Sequence, residues 1–138
     1  MTDTPTITRQ SPLWTVGRRK TAAARVRVVP GEGRLFVNGK AADEFFGGNH
    51  RHKATAVSPF KVAPDLASYD VFVTTTGGGI TGQADAIMLG IARAMVAMDP
   101  KLRTALRAKG MLTRDPRAVE RKKSGQPKAR KRFQHSKR

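Results

Sequence analysis

Residues 111–138 set the first limit on what this chain can fold into. They carry eleven cations, Arg114, Arg117, Arg121, Lys122, Lys123, Lys128, Arg130, Lys131, Arg132, Lys137 and Arg138, against two acids, Asp115 and Glu120, a net of +9. Their apolar residues, Met111, Leu112, Ala118, Val119, Ala129 and Phe133, are too few and too small to offset the entropy of ordering such a stretch. The core must therefore come from the residues before Met111. A segment of this charge is suited to a polyanion, which orders it on contact.

The whole chain has 138 residues and a net charge of +17, so removing the tail's +9 still leaves +8 on residues 1–110. That length fits one domain with an appendage. Both parts being basic puts nucleic acid first among partners and an anionic membrane second. The membrane reading finds neither an apolar run of about 18 residues nor a basic amphipathic helix with bulky anchors. The absence of cysteine excludes disulfides and thiol chemistry. The histidines, His50, His52 and His135, do not make a zinc site, so no metal and no cofactor is expected. Residues 1–12 read as a flexible N-terminal arm with neither a signal-peptide nor a transit-peptide pattern, and the chain is expected to be soluble and intracellular.

Residues 13–110 carry the signals of a globular body. Trp14, Val16 and the run Arg25-Val26-Arg27-Val28 alternate with period two, as a strand with one buried face does. Gly17 to Thr21 is a basic cluster that interrupts this strand or bulges it. Pro30-Gly31-Glu32-Gly33 predicts a turn into a second extended stretch, Arg34 to Asn38, giving a hairpin closed at its far end by Asn38-Gly39. Arg25 and Arg27 share one face of the strand and are assigned to nucleic acid. Ala41 to Phe46 predicts a short helical turn, and Ala54, Val57 and Phe60 a core-facing helical stretch. Tyr69 to Thr75 has apolar residues on both faces and is expected in the sheet interior.

Gly77-Gly78-Gly79-Ile80-Thr81-Gly82-Gln83 then enters a helix capped by Thr81, with Ala84, Ile87, Met88, Ile91, Met95 and Met98 on its apolar side. Gly90 in mid-helix implies a close neighbour, since it costs roughly 1 kcal/mol relative to alanine. Asp99-Pro100 starts a further helix ending at Gly110, and Asp115-Pro116 predicts a short basic helix over about 116–123. Beyond it the chain is an extended tail. The order of elements makes an α+β domain.

Enzyme chemistry has little to work with. The triple glycine is neither a Walker loop nor a dinucleotide fingerprint, because the lysine and the placed acid those motifs need are missing. A tight turn, or amides of Gly77, Gly78 and Gly79 on an RNA phosphate, accounts for it better than a nucleotide site. No pair of carboxylates is spaced as an acid–base couple, so no catalytic residue is assigned.

Five motifs in order resemble one family: Val16-Gly17-Arg18-Arg19-Lys20-Thr21-Ala22, Gly77 to Ala84, Leu112 to Arg117, Val119 to Lys123 and the closing Ser136-Lys137-Arg138. The chain is similar in them to ribosomal protein S-nine of the small subunit, bacterial or organellar. The resemblance implies a body like the second domain of ribosomal protein S-five, a sandwich of a small sheet with helices on one side, plus the basic tail. It implies a structural, non-enzymatic role on cytoplasmic or, less favoured, organellar ribosomes. The body would bind small-subunit rRNA in the head, beside neighbouring head proteins, with no small-molecule substrate.

Carried over by position, Ser136, Lys137 and Arg138 would approach the P-site tRNA. Arg18, Arg19, Lys20, Arg121, Lys122, Lys123, Lys128, Arg130 and Lys131 would face rRNA, with Arg25, Arg27, Arg114, Arg117 and Arg132 assigned there by their charge. Two residues depart from the family pattern: His135 stands where phenylalanine is usual, and Phe133 where a small residue or proline is. The 49–67 region matches weakly and carries no contact over. The alternative from charge alone is a free nucleic-acid-compacting protein.

Overall fold

The structure is a computed structural model that describes residues 13–137; the predicted arm at 1–12 and Arg138 lie outside them. The strands are β1 (Leu13–Arg19), β2 (Ala22–Pro30), β3 (Leu35–Val37), β4 (Lys40–Ala41) and β5 (Tyr69–Thr76). The helices are α1 (Ala42–Phe45), α2 (His50–Val57), α3 (Pro59–Val62), α4 (Ile80–Met98) and α5 (Leu102–Ala108), with a 3-10 turn at Pro64–Ser68. The five strands form one sheet in the order β1-β2-β5-β3-β4, antiparallel except where β3 runs parallel to β5. The expected α+β class, with helices on one side of a small sheet, is what forms.

Alternation along the strands divides the sheet into two faces. Val26, Val28, Val37, Val71 and Val73 point inward and are buried together with Ile87, Ile91 and Met95 of α4. Small residues let this helix come close. A methyl group on Gly17 would lie 2.5 Å from the Gly90 amide nitrogen, and one on Gly90 would lie 2.5 Å from Val26 Cγ2. The close packing expected at Gly90 is thus present, and Thr15 Oγ1 donates to the Gly90 carbonyl at 2.8 Å across the same contact.

Four local expectations change. First, β2 and β3 are not a hairpin, because β5 lies between them. The carboxylate of Asp70 accepts the amides of Glu32, Gly33 and Arg34 at 2.9–3.1 Å and draws the loop across the end of β5. The basic cluster is where a hairpin does turn, at Lys20-Thr21 between β1 and β2, with Lys20 at φ 53°. Asn38-Gly39, at φ 52° and 80°, closes the smaller β3–β4 hairpin.

Second, α4 is capped by Gly79 and starts at Ile80, leaving Thr81 inside its first turn. Third, Ala54 is exposed and the residues α2 and α3 bury are Ala56 and Pro59, while Phe60 packs half-buried on the core as expected. Fourth, no helix forms over 116–123. Asp115 does accept the Arg117 amide at 2.9 Å as a cap would, but Val119, 93% exposed, has no surface to pack on. A segment that short is not helical without such packing. The end of α5 agrees with expectation: Gly110, at φ 72°, donates to the Arg107 carbonyl and Met111 to that of Leu106, a Schellman closure.

Candidate nucleic-acid interface

The outward face of the sheet is cationic and aromatic. Register places Trp14 of β1 opposite Arg27 of β2, Arg27 opposite Phe72 of β5, and Phe72 beside Phe36 of β3. The Arg27 guanidinium lies 4.7 Å from the Phe72 ring centroid and 5.8 Å from that of Trp14. Arg25 covers Trp14 at 5.3 Å and Arg34 covers Phe36 at 5.7 Å, while the Phe36 and Phe72 rings stack at 5.3 Å. Guanidinium groups at these distances are held by the ring quadrupoles and keep their N–H edges free of the ring face. Arg18 lies on the same side of β1 and is exposed.

Its neighbour Arg19 does something else. It turns to the helix side, with its side chain 13% exposed, and pairs with Asp85 of α4 at 3.6 Å and with Asp115 of the tail. Asp115 also accepts the Arg117 amide at 2.9 Å and pairs with the Arg117 side chain at 2.7 Å. The Arg117 side chain first, then its amide and the Arg19 guanidinium, holds the Asp115 carboxyl well below the usual carboxylate range. Nearby, Arg114 Nη2 donates to the Lys20 carbonyl at 3.5 Å, and Met111 and Leu112 pack on the core. These contacts root the tail beside the β1–β2 turn. They also mean that Arg19 and Arg117 serve the protein's own carboxylates.

Further out, the tail's other acid closes a loop. Glu120 accepts from Lys123 and, at 2.8 Å, from Arg130. Lys123 first, then Arg130, lowers the Glu120 pKa. Arg121, Lys122, Lys128, Lys131, Arg132 and Lys137 are exposed along the tail, as is Ser136.

The glycine turn has a packing reason of its own. Gly77 sits at φ 74°, and a side chain there would come within 2.5 Å of the Thr21 carbonyl oxygen. Gly78 faces Ala22, whereas Gly79 borders open space. Gln83 Nε2 donates to the Gly77 carbonyl at 3.1 Å and fixes the turn onto α4.

Sequence reading thus found Arg18, Arg25 and Arg27 but missed Trp14, Arg34, Phe36 and Phe72, which the sheet brings into the same surface. The signal for Trp14 is its parity with Arg27 across a hairpin turning at Lys20-Thr21. Among the described residues, no cluster of His, Asp and Glu is arranged to hold a metal ion, and no helix is long and apolar enough to cross a membrane.

The protein is thus a helix-backed sheet with one arginine-rich face, continued by an open cationic tail. The family model described as ribosomal protein S9/S16 matches residues 17–138. Relatives agree with it. A protein named small ribosomal subunit protein uS9 from Anaeromyxobacter sp. (strain K) is 54% identical over 90% of this chain and 95% of its own length. One of the same name from Trichormus variabilis is 51% identical over 91% of each. The chain belongs to the ribosomal protein S9/S16 family and is not an enzyme.

Proposed function

We propose that this chain is a structural protein of the small ribosomal subunit in the bacterial cytoplasm. Its body and tail bind rRNA of the subunit head, alongside neighbouring head proteins, and its tail tip meets the P-site tRNA. The observation that carries this reading is the tail itself, an open run of cations rooted on the body by Asp115 and Arg19. The names of the relatives supply the small subunit.

In this reading Arg18, Lys20, Arg25, Arg27 and the exposed tail cations neutralise rRNA phosphates, releasing counterions. Arg114, Lys123 and Arg130 join them when RNA displaces their internal partners. Residues 125–138 extend roughly 45–50 Å at ~3.3–3.6 Å per residue, enough to carry Ser136, Lys137 and Arg138 from a docked body to a tRNA. Deleting Lys137 and Arg138 should weaken P-site tRNA retention on purified subunits several-fold and leave subunit assembly intact. Unchanged tRNA binding across a magnesium and salt series would remove the tip from the function. A lysate in which the chain sediments among free proteins, away from the small subunit, would favour the compaction reading.

A further inference from the structure

We infer that the outward face of the sheet, built on Trp14, Arg27, Phe72 and Phe36, is a base-stacking platform for an unpaired RNA segment. The inference rests on the reading of the chain as an RNA-binding protein and adds a second mode of contact to phosphate neutralisation. The four residues lie in one cross-strand row spanning β1, β2, β5 and β3.

Three observations choose the occupant. Trp14 is 53% exposed and Val16, on the same side of β1, is 40% exposed, so the ring belongs to an apolar strip left in water beside the half-buried Phe36 and Phe72. The cations on this face are arginines, with Arg25 and Arg27 packed over Trp14 within 6 Å. Rings and guanidinium planes are the two side-chain surfaces on which bases stack, whereas a duplex offers its bases to neither. Two acids border the face, and both have cationic partners: Asp70 pairs with Arg34 at 3.4 Å, and Glu32 with the same guanidinium at 3.9 Å. Asp70 is also satisfied by backbone amides. The backbone amide of Arg34, burial opposing it, then the amide of Glu32 and the Arg34 charge leave its pKa lowered. Nothing on the row repels a phosphodiester chain, and an acidic protein partner would leave the rings without a chemical role.

Trp14 is the sole tryptophan, so its fluorescence reports this face and not the tail. The test titrates the full-length protein with single-stranded oligo(U), with an RNA hairpin duplex and with heparin, which is a polyanion without bases. Oligo(U) should quench Trp14 saturably, and the duplex and heparin should quench it little although both bind. Trp14→Ala should weaken oligo(U) binding about ten-fold, measured by anisotropy of a labelled oligonucleotide, and Trp14→Phe should recover most of the loss. Heparin binding should be unchanged in both variants, and because the ring is exposed the circular dichroism should stay that of the wild type.

Equal quenching by heparin and oligo(U), or an alanine variant that binds oligo(U) as tightly as wild type, would overturn the platform. So would quenching that appears only when the protein enters an assembled subunit, which would assign the face to a neighbouring protein. In each of these cases co-sedimentation with the small subunit would still stand, so the ribosomal reading is judged separately.

Discussion

Neighbouring arginines with the same chemistry have opposite fates. Arg18 points to solvent from the outward face of β1, while Arg19, one residue on, is committed to Asp85 and Asp115. Period-two geometry alone makes that difference. Because the Asp115 pKa is lowered in the folded chain, the stabilisation it gives the tail root is fully present above the free aspartate value of about 3.9. It is lost only as pH falls from there through the depressed value. The amide resonances of Arg114 and Arg117 should therefore hold still from pH 8 down to about 4, the free aspartate range, and shift only well below it. Asp115→Asn should free the tail at neutral pH, seen as a fall in heteronuclear NOE from residue 113 onward, while the unfolding midpoint of the body stays in place. A second residue-scale expectation concerns Gly17, where an added methyl would meet the Ala86 carbonyl oxygen and the Gly90 nitrogen. Both obstacles are backbone, so Gly17→Ala should cost ~3 kcal/mol or more in urea denaturation.

Among the elements, the short β3–β4 hairpin depends on one side chain. Asn38 Oδ1 accepts the Thr75 amide at 2.9 Å and its Nδ2 donates to Thr75 Oγ1 at 3.1 Å, while its backbone takes φ 52°. Asn38→Gly removes only the side-chain bonds, and Asn38→Ala adds the left-handed penalty. The alanine variant should thus be less stable than the glycine variant by ~1 kcal/mol, read from chemical denaturation midpoints. How far such elements can be read from sequence depends on how local their causes are. The interior strand β5, helix α4 and the Gly110 closure declare themselves through period and cap residues. The pairing of β3 with β5 does not, because its cause is Asp70 gathering amides from the loop at 32–34. Asp115-Pro116 carries a sound local helix signal and the cap bond to the Arg117 amide is made, yet the exposed Val119 gives the turn nothing to pack on. The aromatic row stayed hidden because its register follows from a turn at Lys20, a non-glycine residue at positive φ.

At the scale of the molecule, the proposed RNA contacts of body and tail are separable and imply two salt responses. Truncation after Lys123 removes Lys128, Arg130, Lys131, Arg132, Lys137 and Arg138. The slope of log K against log salt for single-stranded RNA should then flatten by up to about 4, at ~0.7 for each phosphate that is no longer neutralised. Stacking on the proposed platform would add little to that slope, so oligo(U)-dependent quenching of Trp14 should persist in the truncated chain. The root of the tail has one more consequence, a mechanical one. Helix α5, the last element before the tail, buries Leu106 alone and would be first to peel away if a pull on the tail travelled along the backbone. The Asp115–Arg19 pair instead hands that load to β1, which lies directly on α4. It is placed as strain relief is where a cable enters its housing, so a pull on the tip by the proposed partner would not unwind the helix behind it.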